Sequence, residues 1–306
     1  MHRREFLKHL AALGLVTSAG RFLPIPEEVW AMAPEGRPQA VIARAEGQDY
    51  AKLVSSVVQA LGGMDKFVKS GETVVVKPNM GWDRTPELAA NTHPVVVRRT
   101  VELCLEAGAK QVKVLDRTCH DARRSYKSSG IQDAVAGLKD PRAVVEFVDE
   151  RRFVELAIPK AKALKKWSFY KDILDADRFI NVPVAKHHSE ARLTLCLKNM
   201  MGAIGGWRGR CHVGLHQNIA DMNLILRADL HILDATRILV ANGPSGGSLE
   251  DVVVKNLVAA GPDPVALDAF GTTLFGLKPE DIGHITKAFE LGLGEMDLNK
   301  VKMIAA

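Results

Sequence analysis

Polar residues able to bind or move charge stand where apolar, β-branched runs end. Val74-Val75-Val76 leads into Lys77-Pro78-Asn79, Val112 to Leu115 into Asp116-Arg117-Thr118, Phe179 to Val184 into Lys186-His187-His188, and Ile232-Leu233 into Asp234. Strands that are apolar throughout belong in a parallel sheet covered on both faces. Ligands of such sheets lie beyond the carboxyl ends of the strands, so the four clusters are expected to converge. Side chains alternate along an extended segment, which puts Lys186 and His188 on one side and His187 on the other.

Other candidates are separate from these ends. His212 and His216 stand four apart, a spacing that on one helix shares a face and could hold a metal, with Asp221 further along. Gly214 between them weakens a helix there, and surface or capping roles fit each residue as well. Asn242-Gly243-Pro244-Ser245-Gly246-Gly247-Ser248 either offers backbone amides as an anion nest, through Gly243 and Gly246, or is a plain turn; it lacks the lysine of a P-loop. Asp268 sits among Ala266, Leu267, Ala269 and Phe270, where an unpaired carboxylate is costly. It is expected to meet a cation or a metal, as a structural ion pair or as an active-site acid. Of the four cysteines, Cys104 and Cys196 read as core residues, while Cys119 and Cys211 lie in polar contexts suited to chemistry or pairing. No Cys-x-x-Cys pair is present, which disfavours an iron–sulfur cluster.

The elements that must carry these residues alternate. Ala40 to Ala45, Glu72 to Lys77, Gln111 to Leu115, Ala143 to Phe147, Phe153 to Ile158, Arg178 to Val182, His231 to Ala235, Val252 to Val258 and Val301 to Ile304 read as strands. Tyr50 to Leu61, Pro94 to Ala107, Ala191 to Met201, Leu215 to Leu226 and Pro264 to Phe275 read as helices, the second and last with proline in the first turn. The pattern predicts an α/β fold, a mostly parallel sheet flanked by helices. One domain over residues 38–306 is the economical reading, with two lobes meeting near Val184 as its variant. Lys160, Lys162, Lys165 and Lys166 around Trp167 read as a solvated surface in preference to an anion patch.

Composition narrows the class. The 306 residues are 47% hydrophobic and 25% charged, which excludes a disordered or collagen-like chain. A net charge of +5 without a basic tail, and 6% aromatics, argue against nucleic-acid binding. No apolar run approaches the roughly 20 residues needed to span a bilayer. The first 33 residues carry an address: Arg3-Arg4-Glu5-Phe6-Leu7-Lys8 precedes a short apolar stretch, as in twin-arginine export signals. The translocation machinery is thus an expected partner and the periplasm, or another extracytoplasmic space, the expected location. Ala31-Met32-Ala33 suits signal cleavage, whereas Pro34 opposes it.

The chain resembles the bacterial and archaeal family called domain of unknown function 362. The likeness runs in order through Val76-Lys77-Pro78-Asn79, Thr92-His93-Pro94, Glu106-Ala107-Gly108-Ala109, Asp175-Ala176-Asp177, Asn181-Val182-Pro183 and Lys186-His187-His188. It continues through Leu197-Lys198-Asn199 with Gly202, Ile232-Leu233-Asp234, Gly243-Pro244-Ser245-Gly246-Gly247 and Gly261 to Asp268. Some members carry ferredoxin-type cysteine motifs, and this chain has none. The resemblance implies a site drawn from Lys77, Asn79, Lys186, His188, Lys198, Asn199, Asp234 and Asp268. Three lysines there imply a small anionic ligand, carboxylate or phosphate, with a divalent metal as an optional addition. His188 is then a general acid/base, alongside Asp234 or Asp268, or a metal ligand. A non-catalytic binding or cofactor-delivery protein, and a redox-linked accessory protein using Cys119 and Cys211, are the competing expectations.

Overall fold

The computed structural model describes residues 39–306; the signal expected over residues 1–33 lies outside them. The first half of the chain runs β1 (Val41–Glu46), α1 (Tyr50–Ala60), β2 (Thr73–Pro78), α2 (Pro94–Glu106), β3 (Gln111–Val114), α3 (Ala122–Ser128), α4 (Ile131–Ala136) and β4 (Ala143–Val145). A hairpin of β5 (Phe153–Ala157) and β6 (Lys166–Tyr170) follows, then α5 (Lys171–Asp175), β7 (Arg178–Val182), β8 (Val184–His188), β9 (Arg192–Thr194) and α6 (Cys196–Asn199). The remainder is α7 (Leu215–Met222), β10 (Leu230–Leu239), β11 (Val252–Gly261), α8 (Pro264–Thr273), α9 (Gly283–Glu290) and β12 (Lys302–Ala305).

Ten strands form one sheet in the order β12-β1-β11-β10-β7-β2-β3-β4, with β8 also on β10 and β9 on β8. Six pairings are parallel, including β3–β2–β7–β10, and three are antiparallel, at β1–β11, β10–β11 and β8–β9. Strands from both sides of Val184 therefore belong to one sheet. Alternate residues feed two cores. Val74, Val76 and Ile180 pack with Val54 and Val57 of α1 and Val97 and Val101 of α2. Val75 and Phe179 point the other way, toward Leu197 of α6, Ile219 of α7 and Leu267 of α8.

Local chemistry sets the helix starts. Asp49 accepts the Lys52 N–H at 3.0 Å to begin α1, and Asp263 accepts from Val265 and Ala266, both at 2.9 Å, to begin α8 behind Pro264. The helix expected over residues 191–201 is instead split. Arg192, at φ +62°, turns the chain into β9 against β8. The residue before α6 is Leu195, which has no capping group, so the start of this one-turn helix is held from outside, as described below. The four lysines around Trp167 are exposed, as expected. No helix among the described residues is long and apolar enough to cross a membrane.

Candidate functional site

A cavity of about 370 Å³ opens beyond the ends of β2, β3 and β8; Asn79, Trp82, Cys119, Lys186, His188 and Lys198 are among its lining residues. Lys186, 1% exposed, comes from β8, and Lys198, 7% exposed, from α6. The Lys186 ammonium donates to Asn79 Oδ1 at 3.2 Å and to the Ala90 carbonyl, and lies 5.6 Å from the centre of the Trp82 ring. Lys198 Nζ meets the Met201 sulfur at 3.5 Å. Neither lysine has a carboxylate within ion-pair distance among the described residues. Burial, which penalises the charged form, pulls Lys186 down to about 7 and Lys198 to about 8.

Lys77 behaves differently. It is fully buried one residue before the end of β2, pairs with Asp116 at 2.8 Å, and also donates to the Pro78 carbonyl at 3.0 Å. It does not line the cavity. Burial lowers its pKa, and Asp116 opposes the shift. The other Asp116 oxygen accepts the Met80 N–H at 2.9 Å, so this carboxylate ties two strand ends together. Gly202 packs on the pair so closely that a Cβ there would stand 1.8 Å from Asp116 Oδ1.

The tautomer of His188 is fixed by its own backbone. Its Nδ1 receives the N–H groups of Glu190 at 3.1 Å and Ala191 at 3.3 Å, and so must be an acceptor. The ring proton then sits on Nε2, the polar group that His188 can offer the cavity. Burial, followed by the charges of Lys198 and Lys186, lowers His188 to about 3, so it is neutral at physiological pH. A metal at Nε2 would require that proton to move onto Nδ1, against two donors. His212 stands 6.3 Å away between ring centres and is paired with Glu190.

Several expectations need correction. His212 lies in the single turn at Arg208–His212 and His216 on α7, so they share no helix face. His216 stacks on His284, away from the cavity lining. Among the described residues no three His, Cys, Asp or Glu side chains are grouped to hold a metal, so the donor set does not fit one. Asp268, expected to meet a cation or metal, accepts the Cys196 and Leu197 N–H groups at 2.6 and 3.0 Å. It is the missing cap of α6, supplied from α8, and thereby sets where Lys198 and Asn199 stand. Asp234 accepts the His93 N–H at 2.7 Å and both donors of Thr236. Neither carboxylate lines the cavity. The Gly243 amide donates to His187 Nδ1 at 3.1 Å and the Gly246 amide to the Asn242 carbonyl at 3.2 Å. Those two amides are spent inside the protein, and Gly243 has no room for a Cβ, which would fall 2.0 Å from the His187 carbonyl. Cys119 is exposed at the cavity and Cys211 is buried; all four cysteines are free thiols.

Arg208 was not singled out from the sequence, yet it closes one wall. Its guanidinium donates to the carbonyls of Arg117 and Thr118 and lies 3.9 Å from Cys119 Sγ. The readable signal was the glycine-punctuated basic run Gly205-Gly206-Trp207-Arg208-Gly209-Arg210 following the Lys198 helix. Asn79 and Asn199 do meet, Nδ2 to Oδ1 at 3.0 Å.

The family model described as "Domain of unknown function (DUF362)" matches residues 74–273. A thylakoid-associated protein of Synechocystis is 28% identical over 263 residues, covering 82% of this chain and 79% of the relative. Among solved structures, the lactate racemase apoprotein of Thermoanaerobacterium thermosaccharolyticum aligns with a TM-score of 0.45 and 12% identity over 83% of this chain. A Thermotoga maritima protein aligns at 0.41 and 12% over 80%. This chain spans 59% and 60% of those two proteins.

Proposed function

Since this chain belongs to the family called domain of unknown function 362, a name that assigns no activity, we propose from the site itself that it binds a small carboxylate- or phosphate-bearing molecule in the cavity beside Lys186 and Lys198. One observation carries the reading: two lysines more than nine-tenths buried line the cavity without a carboxylate partner. Buried charges are ordinarily paired, and an anion from solution would supply the missing partner for both. Arg208 adds charge at the wall, and the Nε2–H of His188 adds a neutral donor.

The acid/base assignment shifts accordingly. A group that exchanges protons efficiently has a pKa near the working pH. Lys186, near 7 and lining the cavity, meets that condition; His188, near 3, does not, and Asp268, which burial raises to about 7, lies away from the cavity. In this reading Lys186 is the proton-exchanging group, His188 orients the anion, and Asp268 and Asp234 hold the frame. The alternative of a purely binding protein uses the same contacts and differs only in whether the Lys186 proton is transferred.

Inorganic sulfate is the suitable probe, because its charge is constant over the range in which the lysines titrate. Calorimetric titration should show affinity highest near pH 6 and about tenfold or more lower by pH 9, as the lysines lose their charge. Flat affinity across that range, or no binding at pH 6, would overturn the reading.

Export by the twin-arginine pathway is part of the same proposal, supported by Arg3-Arg4-Glu5-Phe6-Leu7-Lys8. Replacing Arg3 and Arg4 with lysine should keep the protein in the cytoplasmic fraction; unchanged fractionation would refute the export route.

A further inference from the structure

A line of amides runs from the cavity into the sheet. Lys186 Nζ donates to Asn79 Oδ1 at 3.2 Å, Asn79 Nδ2 to Asn199 Oδ1 at 3.0 Å, and Asn199 Nδ2 to Asn181 Oδ1 at 2.8 Å. Asn181 Nδ2 lies 3.0 Å from His231 Nδ1. Asn181 and His231 face each other across the parallel β7–β10 pair, and Asn181 faces Lys77 across β2–β7. Both are essentially unexposed, and neither lines the cavity.

The direction of this line is set by groups that cannot reverse. An ammonium only donates, so Asn79 must present oxygen to Lys186. The Cys196 carbonyl only accepts, and it receives Asn181 Nδ2 at 3.0 Å; the Lys77 carbonyl likewise faces Asn199 Nδ2, at 3.5 Å. All three amides therefore point the same way, and His231 must accept at Nδ1. Burial keeps that ring neutral, with a pKa of about 3. Hydrogen bonds aligned head to tail polarise one another, and here they end on the Lys186 ammonium.

We propose that Asn181 and His231 are positioning residues for Lys186, holding the Asn79 carbonyl oxygen against its ammonium through a one-directional chain of amides. This rests on the anion-binding reading for its purpose but not for its test. Without Asn181, Asn199 Nδ2 keeps, among the described residues, only the 3.5 Å contact with the Lys77 carbonyl, so the Asn199–Asn79 link is held less firmly, the acceptor presented to Lys186 is less fixed, and the charged form of Lys186 becomes harder to keep. The other groups acting on Lys186 are the Cys119 thiol, Asp116, Lys77, Lys198 and the neighbouring ring of His188. Of these, Lys77 is the strand neighbour of Asn181 and Lys198 stands in the helix whose Cys196 carbonyl Asn181 holds, whereas no hydrogen bond joins His231 to any of them among the described residues, so the His231 variants isolate the effect of the chain.

The experiment follows the Lys186 ammonium by carbon-13 NMR in the anion-free protein. In Asn181→Leu its titration midpoint should fall by about half to one pH unit, the worth of one hydrogen bond, while that of Lys198 stays in place. His231→Leu should shift it in the same direction, and serves if Asn181→Leu does not fold. His231→Gln, which keeps an acceptor, should restore the wild-type midpoint. Sulfate binding should then weaken about three- to tenfold at pH 8 and stay near the wild-type value at pH 6. An unmoved Lys186 midpoint in the folded leucine variants, or an equal shift in His231→Gln, overturns the proposal. Failure of the wild type to bind sulfate would remove the anion reading and leave the NMR result to decide the chain.

Discussion

Lys198→Met is expected to weaken sulfate binding at pH 6 by about 30-fold or more while raising the melting temperature of the free protein. The first effect follows from truncating one member of a buried charge pair, which costs about 2–5 kcal/mol, at roughly 1.4 kcal/mol per tenfold. The second comes from the free protein, in which the Lys198 ammonium is 7% exposed and has a thioether for a neighbour. Methionine matches the volume without the charge, and no other polar group loses a partner. Lys186→Met should lose affinity comparably without the gain in stability, because Asn79 Oδ1 and the Ala90 carbonyl would be left without their donor.

The pH dependence of that stability gain has a defined sign. An unfolded lysine titrates near 10.4, and Lys198 in the folded protein near 8. Between these values the unfolded chain holds more protons, so the stability of the wild type rises with pH across this window. Below about 8 both states are charged and the burial cost is fully present; above 10.4 both are neutral and it vanishes. The melting-temperature difference between Lys198→Met and wild type should thus be largest at pH 6 and close above pH 10. Calorimetry in sulfate-free buffer measures it. A variant that is less stable than wild type at pH 6, or that binds sulfate equally well, would contradict the role given to Lys198.

Asp116→Ala should destabilise the protein by about 3–5 kcal/mol, the usual cost of leaving a buried charge without its partner. Lys77 is fully buried, and without Asp116 its ammonium keeps only the Pro78 carbonyl as a partner among the described residues. The Met80 amide loses its acceptor in the same step. For a domain of this size the drop in melting temperature is on the order of 10 °C. Gly202→Ala tests the pair from outside: the added carbon would lie 1.8 Å from Asp116 Oδ1 and 2.8 Å from Lys77 Nζ, so the pair must separate or shift to admit it. Melting curves within a degree or two of wild type for both variants would show that this pair does not hold the strand ends together.

Much of this organisation is legible in the amino-acid sequence. Apolar β-branched runs closing in polar residues marked the carboxyl ends of β2, β3 and β8, and the two-residue repeat of a strand set Lys186 and His188 on one side. Proline and aspartate marked the start of α8. These are properties of neighbours in sequence. They are carried by backbone sterics and by the alternation of apolar and polar side chains, and they hold wherever the segment lies.

Which charged group is satisfied and which is left bare is another matter. Lys77, Lys186 and Lys198 look alike in the sequence. The fold gives Asp116 to the first, an asparagine oxygen and a carbonyl to the second, and a methionine sulfur to the third. Asp268 and Asp234 looked like acids in search of chemistry until backbone amides 72 and 141 residues away took up their oxygens. His188 carried a titrating ring on paper, yet two amides and burial hold it neutral. Residue types and strand ends were thus determined by the sequence alone. The charge states of the site residues were decided by the tertiary structure, because desolvation and pairing depend on what lies within a few ångströms in space, and the deciding neighbours, such as Asp116 for Lys77 and Asn79 for Lys186, are remote in the chain.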